Sequence, residues 1–381
     1  MEPNIRKTIS EYAVQMERDL QYDGISDQDL INKWTSKMLS ISNEFRKEVN
    51  KLSFKELYSE TILAVSNKTE KNILYDCLPT GLAALDRVLG GLPMGELIIL
   101  GGRPAMGKTA LLLSIMANSI SNKNEPIAYF SLENSAESIM LRLLSVFSEL
   151  TQNTLVSKQL EPFEINILAE KTKKLAEANI TIEDNCFSID DIIAQTYFLV
   201  KEKGVKMIII DYIQLIQCKG KMGREQEVAK VCRELKALAR KYNIAVFVSS
   251  QLSRAVESRG GDKRPQLSDL RESGAIEQDA DKVLFLHRPE YYNITEDCEG
   301  NSTMGIAEII IAKNRGGAVD SAKVRFVGQF SVFQDLDLFG TGGPANILES
   351  FKSIRTEEFD STLNSIMRKS KMNDIEEDHP F

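Results

Sequence analysis

A glycine-rich loop carries the clearest chemical signal in the sequence. Residues 102–109 read Gly-Arg-Pro-Ala-Met-Gly-Lys-Thr and match the phosphate-loop pattern G-x-x-x-x-G-K-S/T. The loop follows an apolar run and precedes a helix-like stretch, so its backbone N–H groups can surround phosphates at a helix N-terminus. An ordinary glycine turn is the alternative, which this context disfavours. The predicted nucleotide-binding residues are Gly102, Arg103, Pro104, Ala105, Met106, Gly107, Lys108, Thr109 and Ala110.

Polar side chains at the ends of three apolar runs could complete such a site. Lys108 and Thr109 would contact the phosphates and Mg²⁺, and Asp211 would supply the second magnesium anchor. Glu133 could orient the attacking water, and Gln251 could sense the γ-phosphate without adding negative charge. Alternatively, Asp211 and Gln251 are only polar residues that contact solvent at the ends of their strands. Glu133 could instead be an acid that stabilises the N-terminus of the following helix.

Short apolar runs alternate with helix-like stretches through the centre of the chain. The runs rich in β-branched and aromatic residues are 97–101, 127–132, 207–210, 244–249, 283–287 and 306–312. Continuous apolar strands separated by helices are typical of a parallel sheet that is covered on both faces. The sequence therefore predicts an α/β fold with a mainly parallel central sheet.

The N-terminal part of the chain has a helical pattern instead. From Ser26 onward apolar residues recur at intervals of three or four, and Ser53 to Glu56 form a capping box that predicts a further helix to about Val65. Because so few short helices make a poor core alone, this apolar stripe either packs on its own chain or is buried by a neighbouring subunit. We divide the chain into an all-helical region (1–66), a linker (67–79), an ATPase domain (80–334) and a polar C-terminal tail (335–381).

Composition limits the classes of protein that this chain can be. The 381 residues carry 47 Lys and Arg against 55 Asp and Glu, a net charge of −8, so polyanions must bind to a local basic patch. The 5 cysteines and 2 histidines have no zinc-binding spacing. The charged N-terminus lacks a signal-peptide core, and no apolar run approaches the ~18 residues of a membrane span. We therefore expect a soluble, cytoplasmic protein without a membrane partner.

Seven segments occur in the order seen in the DnaB-type replicative DNA helicases. The run Arg-Glu-Ser-Gly-Ala-Ile-Glu-Gln-Asp-Ala-Asp at 271–281 is far more specific than any nucleotide motif alone. The chain resembles this family over about residues 76–334. The segments are 76–109, 130–133, 209–216, 234–239, 250–254, 268–281 and 312–317.

This resemblance implies a RecA-like P-loop ATPase core that forms hexameric rings, with ATP between subunits and single-stranded DNA in the channel. Lys108, Thr109, Glu133, Asp211 and Gln251 then correspond to the phosphate-binding, metal-binding, water-activating and γ-phosphate-sensing positions. The implied cofactors are ATP and Mg²⁺, and the implied direction of travel is 5′ to 3′.

Two basic residues beyond the last apolar run match a further catalytic element of the family. Lys313 and Arg315 resemble the pair that such helicases offer to ATP on the next subunit. An arginine supplied in trans can stabilise the charge of the transition state. A hairpin whose basic residues face solvent is the alternative for an isolated Lys-x-Arg.

Two basic segments are predicted to contact DNA. Arg224 ends the segment 218–224, and Arg254 begins the segment 254–271. The resemblance adds Arg271, Glu272 and Gly274, with the glycine N–H on a phosphate. No aromatic residue is interleaved, so sequence-independent binding to the DNA backbone is expected rather than base stacking. The alternative is a pair of solvated loops, because acidic residues dilute the positive charge.

The N-terminal region departs from the family, whose members carry a globular helical domain and a linker helix before the core. That domain is expected to be shortened or replaced here, with the helix from Ser53 in the place of the linker helix. The departure puts contacts with a primase or a helicase loader in question. The stretch 374–381 resembles the acidic Pro-Phe tail of bacterial single-stranded-DNA-binding proteins, although a solvated terminus is the simpler interpretation.

The motifs alone indicate an NTPase, and the resemblance implies an ATP-dependent replicative DNA helicase that acts as a homo-oligomeric ring. A recombinase-like or KaiC-like ATPase that forms filaments or rings without unwinding DNA is the alternative among motor proteins. A nucleotide-binding scaffold is the alternative from another class, and the complete set of hydrolytic residues disfavours it.

Overall fold

The computed structural model describes residues 5–21, 24, 26–49, 54–55, 58–59, 62, 77–157, 159–218, 223–259, 261–270, 274–297 and 299–336. The predicted helix from Ser53 to Val65 falls mostly outside these residues. The tail beyond 336 lies outside them entirely. Cys77 and Leu78, which the sequence analysis assigned to the linker, form a short strand.

A nine-stranded sheet forms the centre of the fold, as the apolar runs predicted. Its strand order is β11-β10-β9-β8-β3-β7-β6-β4-β5, and a separate β1-β2 pair lies outside it. The strands from β5 to β8 in this order are parallel, while β9, β10 and β11 are antiparallel at one side. The bounds are β1 Cys77–Leu78, β2 Leu92–Pro93, β3 Leu97–Gly102, β4 Ile127–Ser131, β5 Ile180–Glu183, β6 Met207–Asp211, β7 Ala245–Gln251, β8 Lys282–His287, β9 Ile306–Asn314, β10 Asp320–Val327 and β11 Val332–Gln334.

Helices cover both faces of the sheet. Ile98 and Ile99 are both fully buried, and they belong to the cores on opposite faces because successive side chains of a strand point to opposite sides. The α-helices are α1 Ile5–Leu20, α2 Asp27–Val49, α3 Ala83–Leu89, α4 Lys108–Asn122, α5 Ala136–Ser148, α6 Gln152–Ser157, α7 Pro162–Lys171, α8 Lys173–Ala176, α9 Ile189–Lys203, α10 Arg224–Tyr242, α11 Ala255–Ser258 and α12 Gly274–Asp279. The α/β class predicted from the sequence is confirmed.

Three strands of this sheet were not predicted from the sequence, and each has a weak apolar signal. β5 is only half-buried at the sheet's edge. In the middle of β10 buried and exposed residues alternate, with Lys323 exposed between the buried Ala322 and Val324. β11 has only three residues. The prediction looked for continuous apolar runs, which are typical of strands buried on both faces. These three strands lack such a run.

The two N-terminal helices form a hairpin that packs on the chain's own core. Lys33 Nζ lies 2.6 Å from Asp19 Oδ2 and links α2 to α1. Asn32 Nδ2 donates a 2.7 Å hydrogen bond to Asp191 Oδ1 on α9, and Trp34 is 4% exposed. Part of the predicted stripe is thus buried within the chain, although Met38 remains 42% exposed. Among the described residues, no helix is both long and apolar enough to cross a membrane.

Candidate active site

Five of the predicted catalytic and metal-binding residues lie together at the carboxyl ends of four neighbouring parallel strands: Lys108, Thr109, Glu133, Asp211 and Gln251. The glycine-rich loop follows β3, and Gly102 pairs in register with Gln251 at the end of β7. Asp211 ends β6 and pairs with Ser131 at the end of β4, two residues before Glu133. The carboxyl ends of the strands in an α/β sheet are where ligands commonly bind.

The loop between β3 and α4 has the backbone of a phosphate cradle. Gly107 has φ +97° and comes directly before the first residue of α4, so the helix N-terminus faces the loop. Lys108 Nζ donates hydrogen bonds to the carbonyl oxygens of Gly102 (2.9 Å) and Arg103 (3.3 Å). Burial lowers the pKa of Lys108, whereas the negative charges of Asp211 and Glu133 oppose this shift. A phosphate group in the loop would likewise favour the charged ammonium.

A hydroxyl and a carboxylate meet where a magnesium ion would be required. Thr109 Oγ1 donates a 2.5 Å hydrogen bond to Asp211 Oδ2, and Asp211 is 2% exposed. Oxygen ligands of these two kinds suit Mg²⁺, which is usually held by one or two protein groups together with substrate phosphates and water. The residues present therefore fit a magnesium ion bound with a nucleotide.

Two further hydroxyls orient the Asp211 carboxylate, and the sequence analysis missed both. Tyr129 donates a 3.2 Å hydrogen bond to Oδ2, and Ser249 donates a short one to Oδ1. Burial and the charge of Asp211 raise the pKa of Tyr129 well above its usual value, so its hydroxyl stays protonated and available as a donor. Both residues lie on the strands that flank β6, Tyr129 on β4 and Ser249 on β7.

Removing the Tyr129 hydroxyl is expected to weaken magnesium-dependent nucleotide binding. Because groups that orient metal ligands strongly affect metal affinity, Tyr129→Phe should raise the Mg²⁺ concentration for half-maximal binding about tenfold. The measurement is equilibrium binding of a fluorescent ATP analogue across a magnesium titration. Tyr291→Phe, at a tyrosine that is 45% exposed, is the control. An unchanged magnesium midpoint in Tyr129→Phe would contradict this role.

Gln251 is held through its backbone by another amide side chain. Gln214 Oε1 accepts a 3.1 Å hydrogen bond from the Gln251 N–H, and Gln214 Nε2 donates to the Gln251 carbonyl at 3.2 Å. Gln251 itself is exposed at the strand end. Its side chain is therefore available to a ligand at the carboxyl ends of the strands, while its main chain is fixed.

Arg103 belongs to the loop through its backbone, and its side chain points elsewhere. Its Nη1 donates a 2.7 Å hydrogen bond to the Leu252 carbonyl, and its Nε donates a 2.9 Å hydrogen bond to Glu257 Oε1. With 6% exposure, the residue is buried between the loop and the segment that follows β7. The guanidinium is therefore committed to protein groups.

Arg315 and Lys313 lie near the amino ends of the parallel strands, whereas the phosphate loop lies at their carboxyl ends. β9 runs antiparallel to β8, so Asn314 pairs with Lys282, which in turn pairs with Ile98 near the start of β3. The phosphate loop begins at Gly102, four residues further along β3 and about 13 Å away at the usual rise per strand residue. The pair is therefore remote from the loop of its own chain.

Both cations are bound locally to the end of α12. Arg315 Nη2 donates a 2.5 Å hydrogen bond to the Gln278 carbonyl, and its Nη1 lies 3.6 Å from Asp281 Oδ1. Lys313 Nζ donates to the carbonyls of Glu277 and Gln278. Burial, followed by the neighbouring charge of Arg315, lowers the pKa of Lys313. The Arg315 side chain is still 47% exposed, so part of it faces outward.

The predicted DNA-binding residues have different surroundings. Arg224 begins α10, and its guanidinium binds Glu227 at 2.8 Å and the Gln214 carbonyl. Arg254 is exposed and precedes α11. Gly274 is the first residue of α12, whereas Arg271 and Glu272 lie outside the described residues.

Two other arginines of the basic segment 254–271 form ion pairs within the chain. Arg259 binds Asp269 through two hydrogen bonds of 2.5 and 3.1 Å. Arg264 Nη2 donates a 2.5 Å hydrogen bond to Glu308. The segment is therefore less available to a polyanion than its count of basic residues suggested. Arg254 and Arg264 are both exposed.

Comparison with known proteins supports the family assigned from the motifs. The family model for the DnaB-like helicase C-terminal domain matches residues 77–335. The replicative DNA helicase DnaB of Geobacillus stearothermophilus is 43% identical over 263 residues, which is 68% of this chain and 57% of that protein. The replicative DNA helicase DnaC of Bacillus subtilis is 41% identical over 263 residues, with the same coverage of 68% and 57%. The chain thus spans less than two thirds of the length of both relatives.

Solved structures agree with this assignment. A DnaB-like replicative helicase, described with its interactions with primase, has a TM-score of 0.72 at 27% identity, covering 87% of this chain and 76% of that chain. A second solved structure, of an ATPase domain, has a TM-score of 0.68 at 30% identity, covering 75% of this chain and 100% of that domain. The core has a RecA-like ATPase fold, and the protein belongs to the family of the DnaB-like helicase C-terminal domain.

Proposed function

We propose that this protein is an ATP-dependent replicative DNA helicase that hydrolyses Mg²⁺-ATP at the interfaces of a hexameric ring. In this proposal it travels 5′ to 3′ on single-stranded DNA, inside the cytoplasm. The observation that carries the proposal is the separation of Arg315 from the phosphate loop of its own chain. The family membership and the polar residues at the carboxyl ends of the parallel strands support the same proposal.

Each residue at these strand ends has a distinct role in the proposed reaction. The backbone of the loop 102–109 and Lys108 bind the β- and γ-phosphates, and Glu133 orients the attacking water as general base. Thr109 and Asp211 would hold Mg²⁺, which when bound neutralises charge on the phosphate oxygens. Gln251 contacts the γ-phosphate through its exposed side chain.

Arg315 and Lys313 complete the active site of the next subunit in this proposal. Arg315 lies at the other end of β3 from its own phosphate loop, about 13 Å away along the strand. Gln278 and Asp281 hold its side chain there, so it would not contact ATP bound in that loop. The partial exposure of Arg315 supports contact with a neighbouring copy. Hydrolysis would then require assembly, because a monomer would lack the cations that stabilise the transition state.

Single-stranded DNA would bind in the channel of the ring through its phosphates. Arg254, Arg271 and the N–H of Gly274 are the proposed contacts, together with Glu272 and, once it leaves its local partners, Arg224. Such contacts give binding that depends on salt and tolerates any sequence. A primase, a helicase loader and a single-stranded-DNA-binding protein are candidate partners.

The experiment that tests this function compares ATP hydrolysis and strand displacement on a DNA fork. A helicase should show ATPase activity that single-stranded DNA stimulates, and it should displace the fork strand in the presence of Mg²⁺-ATP. Protection of DNA without displacement would favour the filament-forming alternative. ATP binding with almost no phosphate release would favour a scaffold.

A further inference from the structure

The guanidinium of Arg103 connects the phosphate loop to both ends of the segment 252–257. One end is the Leu252 carbonyl, which accepts a 2.7 Å hydrogen bond from Arg103 Nη1. The other end is Glu257, whose Oε1 lies 2.9 Å from Arg103 Nε and 2.8 Å from Nη2. The Arg103 side chain is 7% exposed and the Glu257 side chain is 43% exposed, so the ion pair is buried on the Arg103 side and open to solvent on the Glu257 side.

The segment 252–257 contains Arg254, an exposed arginine that is proposed to contact DNA. The Glu257 N–H donates a 3.0 Å hydrogen bond to the Arg254 carbonyl, so the two residues belong to one tight turn. Ser253, next to Arg254, donates a 3.0 Å backbone hydrogen bond to Asp269. A displacement of Arg103 would therefore move the main chain on both sides of Arg254.

Arg103 also lies inside the loop that must adjust when a nucleotide binds. Its carbonyl accepts a hydrogen bond from Lys108 Nζ at 3.3 Å, and the Gly102 carbonyl accepts another at 2.9 Å. Lys108 would release these carbonyls in order to contact phosphates. Phosphate binding thus changes the hydrogen bonding of the residue whose side chain holds the Arg254 segment.

We infer that Glu257 is a positioning residue that acts through Arg103 and couples nucleotide binding to DNA binding within one subunit. This inference rests on the proposed function, since it requires Arg254 to contact DNA and the loop to bind ATP. In this inference, binding of the nucleotide and binding of DNA each change the Arg103–Glu257 ion pair. Coupling of this kind is reciprocal, so each ligand must change the affinity of the other by the same factor.

The test measures this coupling factor directly. Fluorescence anisotropy gives the affinity for labelled oligo-dT with and without a non-hydrolysable ATP analogue and Mg²⁺, and the affinity for the analogue is measured with and without oligo-dT. In Glu257→Gln and Glu257→Lys the coupling factor should fall at least about fivefold. The affinity for each ligand alone should stay near the wild-type value. Glu202→Gln, at an exposed glutamate of α9, is the matched control.

A double-mutant cycle with Arg103→Gln separates the ion pair from a general effect of charge. If the two residues act as a unit, Arg103→Gln/Glu257→Gln should have the same coupling factor as Arg103→Gln alone. Wild-type coupling that survives in both Glu257 variants would overturn this inference alone. A wild-type protein in which neither ligand affects the other would overturn the proposed function together with it.

Discussion

Replacing Arg315 with alanine is expected to lower the kcat for ATP hydrolysis about 10³–10⁵-fold while leaving ATP binding nearly unchanged. The guanidinium would act on charge that develops in the transition state, so its loss should affect kcat rather than ground-state affinity. The measurement combines steady-state ATPase kinetics with equilibrium binding of a fluorescent ATP analogue, at protein concentrations where the assembly is complete.

A matched control separates this effect from a change in surface charge. Arg325 is an exposed arginine on the neighbouring strand β10, and Arg325→Ala should retain wild-type turnover. Size-exclusion chromatography of both variants should give the wild-type assembly. Full ATPase activity in Arg315→Ala would contradict a catalytic role for this residue.

Replacing Glu133 with glutamine is expected to lower kcat about 10²–10⁴-fold, the usual contribution of a positioned general base. Glutamine keeps the size of the side chain but cannot accept the proton of the attacking water. Because Glu133 is exposed at the end of its strand, the substitution should not disturb the core. Single-turnover hydrolysis measures the chemical step, and analogue binding should remain intact.

Glu137 is the control for Glu133, because it is an exposed glutamate four residues further along, in the first turn of α5. Glu137→Gln changes the local charge equally and should leave hydrolysis unchanged. Equal losses in both variants would indicate a general electrostatic effect. Unchanged single-turnover hydrolysis in Glu133→Gln would exclude it as the base.

The parallel strands other than β5 could be predicted because they are mainly apolar. The runs at 97–101 and 207–210 became β3 and β6 with one added residue each. Such strands are buried on both faces, so a simple criterion finds them. β10 failed this criterion because only alternate residues face the core.

The candidate site was predictable where chemistry depends on residue type at a strand end. Asp211 and Gln251 are the last residues of two buried strands, and the structure brings both close to the glycine-rich loop. Tyr129 and Ser249 were missed because their roles depend on which strands are neighbours, and the sequence does not state the strand order.

The contacts of Arg103 and Arg315 could not be inferred from motifs. The loop pattern predicted backbone N–H groups around phosphates, but it did not indicate that the Arg103 side chain turns toward Glu257. Likewise, only the antiparallel pairing of β9 with β8 reveals that Arg315 is remote from its own phosphate loop. Both findings depend on long-range geometry rather than on local pattern.

Mixing Arg315→Ala with Glu133→Gln under conditions of subunit exchange tests the shared active site most directly. At an interface between the two variants, an Arg315→Ala subunit with an intact Glu133 can meet an intact Arg315 from its Glu133→Gln neighbour. We expect the mixture to regain ATPase activity well above that of either variant alone. Activity that stays at the average of the two variants, although labelled subunits exchange, would contradict a site built from two chains.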